Sequence, residues 1–196
     1  MKDIDRFVQI KSNNLKPAKG RLLLSEPFMG DFYFGRSVVL LTEHNDEGSF
    51  GLILNKPADT TFKQLIKDSP DFDSPIFYGG PVETDSLFYV HTLGTEIEGA
   101  VQITKKLWWG GDFDMIRGKM ELNLIQPSQV RFFMGYSGWG MNQLDSELKR
   151  NSWVITNSVN MNLLTIDPSN LWEKMLTRMG KNYSYWTKFP VDPLVN

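Results

Sequence analysis

A nucleophile in this chain would first be sought in the run Gly135-Tyr136-Ser137-Gly138-Trp139-Gly140. The run joins an apolar, strand-like segment at 130–136 to a helix-like segment at 143–150, which is the setting of a nucleophile elbow. An elbow needs Gly-x-Ser-x-Gly, because small residues on both sides let the serine turn sharply above a sheet. Here Gly138 directly follows Ser137, and Trp139 fills the position that should be small. A serine triad also needs histidine. His44 and His91 both precede Ser137, whereas the α/β-hydrolase order puts histidine last. The run reads primarily as a bend: its glycines permit the turn, Tyr136 and Trp139 pack a wall, and Ser137 attacks nothing.

The remaining constellations are weaker. Ser146-Glu147-Leu148-Lys149 matches Ser-x-x-Lys, but it lies mid-helix with no later Lys-Thr-Gly, and it reads as a solvated face. Glu43-His44-Asn45-Asp46-Glu47 sets a histidine among acids on an expected turn. Adjacent residues point apart, so a structural histidine paired with a carboxylate is expected rather than a metal site. His91 lies in an apolar strand and reads as a hydrogen-bonded core residue. The carboxylates Asp71, Asp73, Asp112 and Asp114 read as loop and helix-capping groups. Gly79-Gly80-Pro81 is either an anion-binding nest or a forced turn. The consecutive Trp108 and Trp109 should point to opposite faces of a strand, which leaves one exposed or in an interface; the pair is the candidate partner surface. No phosphate-loop or dinucleotide fingerprint occurs, and no metal or cofactor is expected. The chain has no cysteine, which excludes thiolate metal sites, disulfides and a cysteine nucleophile.

The elements that must position these groups follow from periodicity and punctuation. Apolar runs at Arg21–Leu24, Ser37–Thr42, Phe50–Leu54, Ile76–Tyr78, Leu87–Leu93, Val101–Ile103, Val130–Tyr136 and Trp153–Thr156 read as strands. The run Val38–Leu41 suits a strand covered on both faces. Asn45–Gly48 is a turn by composition. Helices are expected at 61–67 with Leu65 and Ile66 inward, at 112–117 ending at Gly118, at 143–150 with Asn142 as cap and Leu144 and Leu148 buried, and at 168–179 with Asp167 as cap. Hairpins dominate and helices do not alternate with strands. That pattern indicates an α+β fold with a largely antiparallel, barrel-like sheet and surrounding helices. Residues 1–19 are expected to form an arm with a short helix at 3–11, 20–196 a single domain, and 189–194 an extended surface segment.

With 21 basic against 23 acidic residues the net charge is −2. The nearest approach to a basic stripe is Lys174, Arg178, Lys181 and Lys188, which reads as a solvated helix face. Direct nucleic-acid binding is therefore disfavoured, since such affinity rests on phosphate neutralisation. The charged N-terminus leads into no apolar h-region, and no apolar stretch is long enough for a span. The cytoplasm is the expected compartment.

The motifs GRLLLSEP at 20–27, FGRSVV at 34–39, EHNDEG at 43–48, GLILNKP at 51–57, YGGPV at 78–82, GYSGWG at 135–140 with Gln143, Leu144 and Glu147, and DPLVN at 192–196 recur together and in order. In these the chain resembles the AlgH/YqgE family of bacterial proteins across about 20–196. The resemblance implies an α+β fold with a barrel-like sheet, and no established reaction; members carry a transcriptional-regulator label. Family members commonly have Ala where this chain has Ser137, which undercuts a catalytic hydroxyl. They commonly have Pro-Gly at Met141-Asn142, so the helix entry differs here.

The expectation is a non-catalytic binding or regulatory protein with a protein partner or small-molecule ligand. Its candidate pocket comprises Glu43, His44, Asn55, Gly79, Gly80, Tyr136, Trp139 and Gln143. The alternative is an enzyme, a hydrolase for example, with a site among the loops 28–35, 43–48, 79–81 and 136–143.

Overall fold

Val38, Val39, Leu40 and Leu41 are completely buried, as an unbroken apolar run covered on both faces requires. They belong to β2 (Val38–Asn45), which pairs antiparallel with β1 (Arg21–Ser25) and β3 (Gly48–Ile53). The structure is a computed structural model that describes residues 13–158 and 162–190. The further strands are β4 (Pro57–Thr61), β5 (Pro75–Tyr78), β6 (Val82–His91), β7 (Val101–Thr104), β8 (Leu107–Trp109), β9 (Val130–Gly140) and β10 (Trp153–Asn157). The helices are α1 (Phe62–Leu65), α2 (Phe113–Glu121), α3 (Gln143–Lys149), α4 (Leu171–Arg178) and α5 (Lys181–Ser184).

The fold is α+β. The ten strands form one sheet in the order β10-β1-β2-β3-β9-β6-β8-β7, with β5 bridging β4 and β9 off this path. Every pairing is antiparallel except β5 with β9. The sheet curls without closing. Gly20, just before β1, packs against Ile103 and Thr104 of the far edge strand β7, but among the described residues no ladder joins the two edges.

Alternation along β1–β3 feeds two cores. Leu23, Val39, Leu41 and Ile53 pack with Trp139, Leu144 and Trp153 beneath α3. Leu22, Leu24, Leu40 and Leu52 pack with Trp172, Met175 and Leu176 of α4. A third core joins Phe62, Phe72, Tyr89, Ile116 and Phe132 around α1 and α2. Arg131 pins the 162–166 loop to the sheet. Its buried guanidinium donates to the carbonyls of Leu54, Leu164 and Ile166 at 3.1, 2.7 and 3.2 Å and lies 4.4 Å from the centre of the Phe77 ring. Burial lowers its pKa to about 10, so it stays charged at neutral pH.

Four local expectations need correction. The Gly135–Gly140 run is not a bend between strand and helix: β9 continues through Gly140. The chain turns at Gly135 (φ +67°) and there exchanges β5 for β3 on one edge, while β6 remains its partner on the other. Helix α2 runs through Gly118 to Glu121, because an isolated glycine weakens a helix without ending it. In α1, Phe62 is the buried residue and Leu65 is 41% exposed. The short helix turns its first residue onto Phe132, 4.5 Å away between ring centres, with Thr61 and Gln64 forming a capping box. Asn142 does precede α3, but in the left-handed region and without a side-chain cap. The helix expected at 3–11 lies outside the described residues, as does most of the 189–194 segment.

Gly79 and Gly80 meet Gly135 and Tyr136 backbone to backbone. A Cβ at Gly80 would stand 2.2 Å from the Tyr136 carbonyl oxygen, and one at Gly135 would stand 2.6 Å from that of Gly80. Gly135→Ala should therefore cost about 2–4 kcal/mol, from left-handed strain and overpacking together. Gly118 has open space around it, so Gly118→Ala should gain about 0.5–1 kcal/mol of helix stability. Urea unfolding of the two variants should shift in opposite directions.

Candidate functional site

The register between β3 and β9 builds a shelf at the end of the sheet. Phe50 lies opposite Gly138, and Gly48 opposite Gly140. Residues two apart on a strand share a face, so Tyr136 leans over Gly138 on the side of Phe50. The two rings stack at 4.3 Å with an interplanar angle of 17°. A Cβ on Gly138 would meet Cε2 of Tyr136 at 3.0 Å, so the bare glycine is what lets the ring lie down. Phe50 continues the stack onto Trp109 at 4.9 Å, and Phe88 meets Tyr136 edge-on at 5.3 Å. Beside this wall opens a shallow cavity of about 590 Å³, lined also by Val82, Trp139 and the glycines 48, 138 and 140. Its charged rim is Glu43 and Glu47, with Asn45 between them.

Glu43 and His44 are neighbours on β2 and therefore face opposite sides. Glu43 pairs with Phe50 above the shelf, and His44 pairs with Ser49 below it. His44 bonds through Nδ1 to the Ser49 hydroxyl at 2.8 Å. The expected carboxylate partner is thus replaced by the serine directly across the ladder, since the adjacent acids point away. On this lower side a second depression of about 450 Å³ is lined by His44, Asp46, Met141, Asn142 and Asp145.

A carboxylate fixes the end of the sheet to α3. Oε2 of Glu147 accepts the indole N–H groups of Trp139 at 2.9 Å and Trp153 at 2.8 Å. Its Oε1 accepts from Nε2 of Gln143 at 3.0 Å, while Oε1 of Gln143 accepts the backbone N–H of Gly140 at 3.1 Å. In the sequence Glu147 reads as part of a solvated face and as one residue of the family motif. Two tryptophans at strand ends on either side of a helical Glu were the available signal, because an indole N–H usually finds an acceptor when buried.

The candidate pocket residues thus divide. Glu43 and Tyr136 meet at the shelf, whereas the buried indole of Trp139 lies on the other side of the sheet, the side of His44. Gln143 supports the structure from below. Asn55 sits past the far end of β3, where its amide bridges the N–H of Val38 and the carbonyl of Arg36. Gly79 spends its N–H on Met134 and its carbonyl on Ile53, and Gly80 has backbone against it. The pair is a packed turn with no room for an anion. Ser137 is completely buried and donates to the Gly79 carbonyl at 2.9 Å. Trp108 and Trp109 are both half-buried, because Trp109 turns inward onto Phe50. Phe50, half-buried and central to the wall, was passed over in the sequence because a lone aromatic in an apolar strand looks like core. Among the described residues no group of three or more His, Asp or Glu could hold a metal ion, and no helix is long and apolar enough to cross a membrane.

His91 is completely buried. Nε2 faces the Gly110 carbonyl at 3.1 Å and Nδ1 receives the N–H of Leu93 at 3.3 Å. That assigns a neutral ring with its proton on Nε2. Tyr89 donates to the Gly111 carbonyl at 2.5 Å, and burial, with Asp112 nearby, raises its pKa to about 12. Burial lowers the pKa of His91, opposed by the Gly110 bond. The unfolded chain therefore takes up this proton first. The stabilisation from neutral His91 is full above about pH 6.5 and is lost as the pH falls towards the lowered folded value. Unfolding measured against pH should show that slope, and His91→Asn should remove it. Glu147→Ala should cost about 2 kcal/mol, because two indole donors lose their acceptor; Glu147→Gln should cost less, as read by denaturant unfolding followed on tryptophan emission.

Comparison with known proteins agrees with this architecture. The model of the AlgH-like family DUF179 matches residues 22–184. A UPF0301 protein of Bacteroides thetaiotaomicron is 43% identical over 195 residues, covering 99% of this chain and 98% of its own. A second, from Bacteroides fragilis, is also 43% identical and covers 96% of each chain. The solution structure of the AlgH protein from Pseudomonas aeruginosa superposes with a TM-score of 0.69 at 26% identity, over 91% of this chain and 98% of that one. A crystal structure of a Corynebacterium diphtheriae protein, 21% identical, shares the fold with a TM-score of 0.74 over 90% of this chain and 95% of its own. With the curled sheet, the strand that changes partners at Gly135 and the match over most of its length, this chain belongs to the AlgH-like (DUF179, UPF0301) family.

Proposed function

We propose that this protein is a non-catalytic binding or regulatory protein of the cytoplasm, and that it captures its ligand or partner on the shelf of Phe50, Val82, Tyr136 and Gly138. The stacked pair Tyr136–Phe50 carries this reading: both rings pack on the edge of the main core, remain half-buried and border an open cavity. Flat rings give contact area at small cost in side-chain entropy and keep a polar tip for orientation. The cavity volume of about 590 Å³ lies within the range of ligand sites. The sealed hydroxyl of Ser137 supports binding over acyl transfer at this run. Regulation would then follow from what the shelf holds, and the acidic rim supports a partner other than a phosphate backbone.

Gly138→Ala should lift the Tyr136 ring and weaken ligand binding about tenfold or more, with little change in fold. Ser137→Ala should bind as the parent does. The readout is perturbation of shelf amides in nitrogen-15 spectra during a screen of small molecules and peptides. Turnover of ester or amide substrates by the parent, abolished by Ser137→Ala, would overturn the reading.

A further inference from the structure

The two depressions at the β2–β3 turn share an unusual charge. Glu43, Asp46, Glu47 and Asp145 line them, and among the described residues neither is lined by any Lys or Arg. These four carboxylates amount to twice the net charge of −2 carried by the whole chain. Like charges gathered at one end of a sheet repel each other, and a bound cation relieves that repulsion. On the upper side Glu43 and Glu47 border the stacked pair of Tyr136 and Phe50. A π face beside carboxylates attracts a cation in two ways, through the ring quadrupole and through charge. A guanidinium fits both better than an ammonium does. It is planar, stacks on an aromatic ring, and offers a fork of N–H groups to carboxylate oxygens.

We infer that the shelf receives an arginine side chain of a partner protein, whose guanidinium lies against Tyr136 while Glu43 and Glu47 accept its N–H groups. The inference rests on the binding reading above. The apolar margin of the shelf points to a polypeptide as the carrier of the arginine. Val82 is 36% exposed beside the cavity, and Met141 is 68% exposed at the rim of the lower depression. A peptide crossing the sheet end could cover both while its basic side chain enters the shelf.

The test uses the full chain, labelled with nitrogen-15, and the capped pentapeptide Ala-Arg-Ala-Arg-Ala. Addition should shift the amides of Phe50, Tyr136 and Gly138 and saturate, and rising salt should weaken the effect. Citrulline in place of arginine keeps the shape and removes the charge, and it should weaken binding about tenfold. The double variant Glu43→Gln, Glu47→Gln should do the same while its spectrum stays dispersed. Equal affinity for the citrulline peptide, or an unchanged affinity in the double variant, would overturn the assignment of a cation. Agmatine binding as tightly as the peptide would overturn the assignment of a protein partner. If a neutral or acidic ligand moves the shelf amides and the arginine peptide does not, the shelf still binds and this inference fails. If nothing moves them, the binding reading fails with it.

Discussion

The fold depends on one place where backbone meets backbone. Gly79 and Gly80 lie against Gly135 and Tyr136 with no space for a Cβ between them. The bond from Ser137 Oγ to the Gly79 carbonyl and that from the Ile53 N–H to the same oxygen close the junction. At this point β9 exchanges β5 for β3 along one edge, while β6 stays paired along the other as far as Tyr136. Without so close an approach the two halves of the sheet would stand apart, and the strand could not bridge them. Main-chain groups buried in such a junction must find partners; the Gly79 carbonyl has the Ile53 N–H, and the Ser137 hydroxyl adds a second donor.

The shelf is a consequence of that junction. Once β9 has turned at Gly135, Tyr136 falls on the same face as Phe50, and Gly138 leaves room for the ring. From below, Glu147 holds both Trp139 and Trp153 and ties α3 to the strand end. The wall is thus set before anything binds, which lowers the ordering cost of association. Charge and shape are divided between the two sides of the sheet: β2 alternation sends Glu43 up and His44 down. That division separates residues which stand adjacent in sequence and would otherwise suggest one acid–histidine site.

Much of this was legible from residue order. The complete burial of Val38–Leu41 in β2 follows from an unbroken apolar run, the β2–β3 turn from Asn45–Gly48, and the Asp112 and Asp167 caps from acids placed just before helices. The wrong spacing in the Gly135–Gly140 run already argued against a serine nucleophile. Glycines, however, are ambiguous in sequence. The same run fits a bend, an elbow or a strand packed against another backbone, because all three need a missing side chain. Likewise Glu147 could not be told from a solvated helix residue, since its partners Trp139 and Trp153 come from two different strands. Nothing local to Arg131 accounts for a cation in an apolar strand, and only the carbonyls of the distant residues 54, 164 and 166 make its burial tolerable.

The sequence by itself therefore determined most of the strands, the α+β class, the family resemblance and the absence of thiol chemistry. These depend on local periodicity, on turn residues and on composition. The tertiary structure decided that Gly135–Gly140 is a continuous strand, that Glu43 and His44 part company, and that Tyr136 lies flat on Phe50. Those outcomes are set by which strand lies beside which and in what register, and contacts between residues far apart in the chain leave no periodic trace in it.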